Sequence, residues 1–548
     1  MEELILKYAL LNAVEHGGKA SSKAVLGKVL AESPGLKKDI KGLMEKIEKI
    51  VKKVNTLSLD EQREKLKEFK IPEKKEKEGY ELPPLPNAKV GKVVTAFPPE
   101  PSKFPHLGHA KAALVNYLYA KKYKGKFILR FEDTNPELSK EEYYEAFLEG
   151  LKWLGIEWDV LDYASDHLEK FYEYAERLIK EGKAYVCSCK SSEIRRNRRL
   201  MKECKCRKNT TKENLELWEK MFSVLREGEA SLRLKISMTH KNAAMRDPTI
   251  MRIVEHSHPR TGNRYRVWPT YDFATALMDV WEGVTHRIRS KEFEMRKELQ
   301  QFIQKCFGFK SPFITEMARF NLEGVPSSGR KIREMIKKGE LLDWDDPRLT
   351  TLIALKRRGF VPEAIREFLI STGVSKAESV LTWDMLESFN RKVIDPKCNR
   401  YFCVLNPVKI RIKGAREIKE TKVKLHPDFP ERGERRIPVD LDEIYIERED
   451  LEKLRGKIVR LIGLFNVKLN KEANFVGDEI VKEMPKIHWV SKNNVRVRIL
   501  MPNGEIREGI AEPEVKKLEV DERIQFVRVG FCRLDRKEPE LFFYFTHK

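Results

Sequence analysis

Over residues 1–70 the apolar positions recur at helical spacing. "EELILKYALLNAV" carries them first, and "KDIKGLMEKIEKIVKKVNTL" then aligns Ile40, Leu43, Ile47, Ile50, Val51 and Val54. This pattern predicts a helical N-terminal domain. It gives way to "KIPEKKEKEGYELPPLPNAK", charged, proline-rich and aperiodic, which predicts a linker over 71–88. From 89 the rhythm changes: "KVVTAF" reads as a strand, "HLGHAKAALVNYLYAKKY" as a helix and "KFILRFED" as a strand. A β-α-β unit of this kind builds parallel sheets. Strand character resumes at "RYRVWPTYDFATALMDV" and "FITEMARFNL". The expected layout is therefore a sheet domain in halves, 89–150 and 261–325, split by an insertion over 151–260. A loop and helical connector cover 326–395. Beyond it, short β-rich runs such as "VKIRIKG", "EIYIER", "VRVRILMPNG" and "LFFYFTHK" predict barrels or sandwiches over 396–548.

Charge narrows the picture. Among 548 residues, 107 are basic and 85 acidic, a net charge of +22. That excess points to a polyanionic partner, with nucleic acid ahead of an anionic membrane surface. A heat-adapted surface explains many charges of both signs, but not the imbalance. The N-terminus "MEELILKYALLNAV" does not read as a signal peptide, and no uninterrupted apolar run is long enough to span a bilayer. A soluble, cytoplasmic protein is expected.

Four stretches carry candidate chemistry. In "FPPEPSKFPHLGHAKAAL", His106 and His109 flank Leu107-Gly108 where a helix should start after a strand. Such helix starts favour phosphate, and Gly108 would let a nucleotide approach. The competing reading is a helix cap with exposed histidines. Cys187 and Cys189 pair with Cys204 and Cys206 around the basic "KSSEIRRNRRLMKE", which suits a four-sulfur zinc knuckle displaying arginines to a phosphate backbone. Two disulfides are the alternative; Cys306, Cys398, Cys403 and Cys532 read as packing residues. "FNLEGVPSSGRKIREMI" offers a small-residue loop with Arg330 and Lys331, either a mobile basic loop or ordinary surface. "WPTYDFATALMDVWEGVTHRIRSKEFE" joins Tyr271, Asp272 and Asp279 to His286, Arg287 and Arg289, either a carboxylate-binding pocket or a salt-bridge network.

In combination these stretches resemble one family. "FPPEPSKFPHLGHAKAAL", "LRFEDTNP", "AMRDPTIMRI", "YDF" with "EGVTHRIRSKEF", "RFNLEG", "WDDPR", "KIHWV" and "RIQFVRVGFCRLD" occur in the order seen in class I glutamyl- and glutaminyl-tRNA synthetases of archaeal or eukaryotic type. The resemblance covers about residue 89 to the end. It implies an α/β fold: a Rossmann-type parallel-sheet catalytic domain, an inserted acceptor-binding region and C-terminal all-β anticodon-binding barrels. It implies ATP with Mg2+, glutamate and tRNA(Glu) as substrates, with tRNA(Gln) left open, and a monomer. By position, His106, His109, Ser328 and Lys331 would be catalytic. Glu100, Pro101, Ser102, Gly108, Ser290, Arg319 and Phe320 would bind ATP, and Glu132, Tyr271 and Arg289 the amino acid.

The departures matter as much. The family's arginine before "FPPEP" is Ala96, the glycine after "EPS" is Lys103, and Gly329 stands where the second signature has its lysine. Arg289 replaces a cysteine seen in glutaminyl enzymes; a buried guanidinium needs an anion, which favours glutamate over glutamine. A glutaminyl-tRNA synthetase and a non-catalytic tRNA-binding paralogue are the competing readings.

Overall fold

A computed structural model describes residues 2–15, 18–33, 40–66, 68–69, 82–326, 328–481 and 483–548. The chain forms two compact units, Met1–Glu81 and Leu82–Lys548. Most of the expected linker, residues 70–81, lies outside the described residues.

In the first unit, helices α1 (Glu2–Glu15), α2 (Ser22–Glu32), α3 (Ile40–Val54) and α4 (Leu59–Leu66) enclose one apolar core. On α3 the buried row is Leu43, Ile47, Val51 and Val54, the spacing of one helical face. Ile50 is only partly buried, and Ile40, at the first turn, is 49% exposed. Polar side chains close the gaps between helices. The Asn55 side chain bonds both the N–H and the carbonyl of Ala20, at 2.6 and 3.1 Å. Gln62 donates to the carbonyls of Gly18, Val54 and Leu57.

The second unit is built around a five-stranded parallel sheet of β1 (Val94–Phe97), β2 (Lys126–Phe131), β3 (Val160–Tyr163), β8 (His286–Ser290) and β9 (Phe313–Met317), ordered β3-β2-β1-β8-β9. Helices α5 (Leu107–Lys122) and α6 (Glu141–Trp153) make the crossovers. β1 is flanked by β2 on one side and by β8 on the other. The chain order therefore switches at β1, and a crevice opens beyond its carboxyl end.

The interruption begins later than expected. α6 and β3 belong to the sheet domain, although the end of α6 and the whole of β3 fall inside the segment expected to be inserted, 151–260. β3 is short and at the edge, with Val160 and Leu161 exposed, so it lacks the apolar alternation that announces a strand. The insertion itself contains α7 (Leu168–Lys180), α8 (Ser191–Leu200), α9 (Thr211–Met221) and an antiparallel sheet. That sheet consists of β4 (Ala184–Cys187), β5 (Ser231–Leu234), β6 (Thr249–Ile253) and β7 (Val267–Pro269). A second difference concerns "YDFATALMDV": it is not strand but helix α10 (Tyr271–Trp281). Its residues 272–279 are all buried, and a helix enclosed on every side carries no amphipathic period.

Helices α11 (Lys297–Cys306) and α12 (Gly329–Lys337) follow, and then a connector whose helices include Leu352–Arg358 and Trp383–Ile394. The C-terminal third has two seven-stranded sheets over separate apolar cores, as the spaced short runs predicted. Trp489 centres one core and donates its indole N–H to the Ile462 carbonyl at 2.9 Å. Cys403 and Cys532 pack in the other. In Pro407–Lys413 the alternation is clean: Ile410 and Ile412 point inward while Lys409, Arg411 and Lys413 face solvent. Arg357 ties the connector to this region through both oxygens of Asp535, at 3.1 and 3.0 Å. Among the described residues no helix is long and apolar enough to cross a membrane.

Candidate active site

The crevice beyond β1 holds a cavity of about 520 Å³. Of the residues singled out in the sequence, Glu100, Ser102, His106, Gly108, His109, Glu132, Tyr271, Arg289, Ser290, Arg319 and Phe320 line it. Segments more than two hundred residues apart in the chain thus meet in one pocket.

At one end sit the two histidines. His106 is the N-cap of α5, and its Nδ1 accepts the Gly108 N–H at 3.0 Å. The His106 N–H donates to His109 Nδ1 at 3.3 Å, completing a reciprocal cap. The capping reading and the phosphate reading are therefore compatible, because the caps use only the Nδ1 atoms. With Nδ1 accepting, each neutral ring carries its proton on Nε2, a donor left for a ligand. The rings lie 4.0 Å apart. Desolvation, then the positive charges of Lys103 and Arg319, push His106 down to about 3; His109 is pushed down too, by desolvation first and then by its neighbours. Both are neutral donors at physiological pH. Gly108 is required sterically, since a Cβ there would sit 2.9 Å from the His106 ring. The whole loop is pinned from behind, with Leu107 N–H on the Thr350 carbonyl and Leu352 N–H on Pro105.

The other end is built on charges that single segments do not reveal. Arg130, at the carboxyl end of β2, is wholly buried and pairs with Glu132 at 3.0 Å, Asp279 at 3.0 Å and Glu282 at 2.5 Å. Arg287 joins Asp279 at 3.1 Å. This lattice fixes Glu132, whose Oε1 accepts from Arg130 and from the Thr275 hydroxyl at 2.6 Å. Glu132 Oε2 has no hydrogen-bond partner among the described residues. Burial lifts this carboxyl above its ordinary value, opposed by Arg130 and Thr275. A buried carboxylate oxygen left bare is costly unless a ligand donor meets it, and an ammonium group is the strongest such donor. Arg287 and Arg289 likewise keep partnerless Nε–H groups. Arg289 is held by Gln300 at 2.6 Å and by the Phe293 carbonyl at 3.1 Å, while Glu316 stands 3.8 Å away. Ser290 Oγ is also without a partner among the described residues.

Three sequence-selected residues are not on the cavity wall. Pro101 is buried just behind it and accepts the Lys140 N–H. Ser328 is the exposed N-cap of α12, and Lys331 is exposed one turn further on. Ala96 is fully buried in a small apolar cluster with Ile128 and Val284, so the guanidinium groups of the cavity come from Arg287, Arg289, Arg296 and Arg319 instead. Sequence reasoning missed Thr134, Glu292, Phe293 and Arg296 on the wall, and Arg130 behind it. Arg130 alone had a signal: it is a charge set inside the apolar strand "KFILRF".

A second cluster lies in the insertion. The four sulfurs of Cys187, Cys189, Cys204 and Cys206 all fall within 4.8 Å of one another. Cys187 and Cys204 are 3.8 Å apart, Cys189 and Cys206 4.0 Å. A disulfide needs about 2 Å, whereas a tetrahedral Zn–S4 unit with bonds of about 2.3 Å has edges near 3.8 Å. The cysteines form no disulfide, and Arg233 sets a guanidinium 3.8 Å from Cys187 Sγ, opposing the upward push of Cys204 and burial on that thiol. On α8, between the pairs, Arg195, Arg196 and Arg199 are exposed.

The fold and this site define a nucleotide-binding α/β enzyme with appended β domains. The catalytic-domain model of the class I tRNA synthetases (E and Q) matches residues 92–396. Two anticodon-binding-domain models of the same group match 398–486 and 486–535. The chain is 45% identical over 569 aligned residues to a glutamate–tRNA ligase of Pyrococcus furiosus, covering 98% of both chains. It is 43% identical to those of Thermococcus kodakarensis and Methanocaldococcus jannaschii, over 100% and 99% of both chains respectively. The chain belongs to the class I glutamyl and glutaminyl tRNA synthetase family.

Proposed function

We propose that the protein is a glutamate–tRNA ligase, working in the cytoplasm on tRNA(Glu). The observation that carries this reading is the bare oxygen of Glu132 in one cavity with the Arg287 and Arg289 guanidiniums and the histidine pair. An amino acid with a second carboxylate satisfies both charge types at once: its ammonium meets Glu132 and its side-chain carboxylate meets Arg289. ATP lies over Gly108 with its phosphates facing the Nε2–H groups of His106 and His109. The amino acid's α-carboxylate oxygen attacks the α-phosphorus, the bond to the bridging oxygen breaks, and pyrophosphate leaves with the electron pair. Two neutral imidazoles donate to the phosphoryl oxygens as charge develops, without proton transfer, so positioning and electrostatics supply the rate. Mg2+ arrives with the triphosphate and spreads its charge. The terminal ribose hydroxyl of tRNA then attacks the activated carbonyl and releases AMP.

Glutamine is the competing substrate. ATP–pyrophosphate exchange with tRNA present is expected to run faster with glutamate; faster exchange with glutamine overturns the assignment. Failure to form any adenylate despite tight tRNA binding identifies a tRNA-binding paralogue instead. Aminoacylation with glutamate on purified tRNA(Glu) and tRNA(Gln) reads the tRNA range in the same series.

The four cysteines hold a structural zinc ion, with the exposed arginines of α8 set beside it for the acceptor strand. One equivalent of zinc per chain is expected by elemental analysis. Cys204→Ser is expected to lose it and to raise the KM for tRNA severalfold, with the KM for ATP little changed. Full retention of tRNA affinity in the metal-free variant removes zinc from that role.

A further inference from the structure

Lys103 sits on the loop between β1 and α5 and lines the cavity beside Glu100, His106 and Arg319. Its side chain does not extend outward; it runs across the first residue of α12. A Cβ placed on Gly329 would lie 2.9 Å from Lys103 Cδ and 3.3 Å from Lys103 Cβ. Gly329 is buried, although its φ is not in the left-handed region, so the backbone itself does not call for glycine here. Space for the lysine stem is what calls for it. The crossing is secured from the far side, where Arg333 of α12 donates to the Ser102 carbonyl at 2.8 Å. Loop and helix are thereby locked with the lysine between them, its amine within reach of the cavity.

We propose that Lys103 is the lysine that contacts the triphosphate of ATP during adenylate formation, and that Gly329 is the relief that lets it cross α12. The inference rests on the assignment of this cavity to ATP. Three observations support it. Lys103 lines the same cavity wall as His106 and His109, and its positive charge, with that of Arg319, helps hold His106 neutral. Lys331, the lysine that sequence order suggests for this task, is exposed and off the cavity wall, and its neighbour Arg330 is engaged with Glu334 at 3.0 Å. Burial presses the Lys103 ammonium below its ordinary value, with Glu100 and Glu292 opposing and Arg319 and Arg333 pressing the same way. As the bond between the α-phosphorus and the bridging oxygen breaks, the electron pair passes to pyrophosphate. Lys103 stays protonated throughout and donates to the leaving oxygens. A lysine delivered by the first loop thus occupies the room a side chain at 329 would otherwise take.

The test is ATP–pyrophosphate exchange at saturating glutamate and tRNA, with tRNA binding and thermal unfolding measured in parallel. Lys103→Met keeps the stem and removes the charge; it is expected to lower kcat about 100-fold, with tRNA affinity and unfolding temperature retained. Lys103→Arg is expected to recover part of the loss. Gly329→Ala keeps the charge and crowds the stem, with a loss of about 10-fold expected; combined with Lys103→Met it should add little, because both act through one contact. Wild-type kcat and ATP KM in Lys103→Met overturn the proposal, as does a larger loss in Lys331→Met than in Lys103→Met, or full additivity of the two changes. Absence of exchange in the wild-type protein with any amino acid overturns the ATP assignment itself, a separate failure.

Discussion

Glu132→Gln is expected to lower kcat/KM for glutamate in ATP–pyrophosphate exchange by two to three orders of magnitude, while the KM for ATP moves less than threefold. The side chain is isosteric, so Arg130 and the Thr275 hydroxyl keep an oxygen to donate to at Oε1. What changes is the face turned to the ligand. Oε2, buried without a partner among the described residues, becomes an amide NH2 that repels an ammonium rather than accepting from it. Loss of a buried charge partner costs about 3–5 kcal/mol, or roughly a hundredfold or more in affinity at about 1.4 kcal/mol per tenfold. The substitution also removes one negative charge from around Arg130, whose other partners are Asp279 and Glu282. Those two remain, so unfolding temperature should fall by only a few degrees. An unchanged KM for glutamate would show that the ammonium is held elsewhere and that Glu132 serves only the lattice around Arg130.

How far the site could be read from the chain depended on where its information lies. The histidine pair was legible because cap, glycine and helix start sit within a few residues of one another, and local chemistry is written locally. The cysteine cluster was legible for the same reason: two C-x-C pairs need only one fold-back to meet. The lattice behind Glu132 was not, since Arg130 meets Asp279 and Glu282 across separations of 149 and 152 residues. No spacing rule reaches that far. Helix α10 reads as strand in the sequence because burial on all sides erases its period. The meaning of Lys103 and Gly329 was hidden in another way. Each looked like an isolated departure, 226 positions from the other, until the packing of α12 against the first loop brought them into contact.

Arg289→Met is expected to abolish the preference for glutamate over glutamine, by lowering kcat/KM for glutamate about 100-fold and leaving that for glutamine within a few-fold. Much of the Arg289 charge is left uncancelled. Gln300 and the Phe293 carbonyl are neutral acceptors; they aim the guanidinium without cancelling it. Its one carboxylate neighbour within 4 Å among the described residues is Glu316, at 3.8 Å, and Lys376 holds that carboxylate more closely at 2.7 Å. The positive charge therefore remains largely available: Arg289 lines the cavity and its Nε–H is buried without a partner among the described residues. A glutamate side-chain carboxylate completes it. A glutamine amide offers only a neutral oxygen and leaves the desolvated ion with no counter-charge but the shared Glu316, a penalty of about 3 kcal/mol, which is the hundredfold in question. Methionine fills similar volume and needs no anion, so the fold around Gln300 has no reason to collapse. Arg289→Lys separates charge from shape: it should retain the sign of the preference but lose part of its size, because an ammonium cannot hold Gln300, Phe293 and the ligand in one plane. Equal losses for glutamate and glutamine in Arg289→Met would reduce the residue to a scaffold for Gln300 and move the discrimination to Arg287, the other guanidinium with a bare Nε on the same wall.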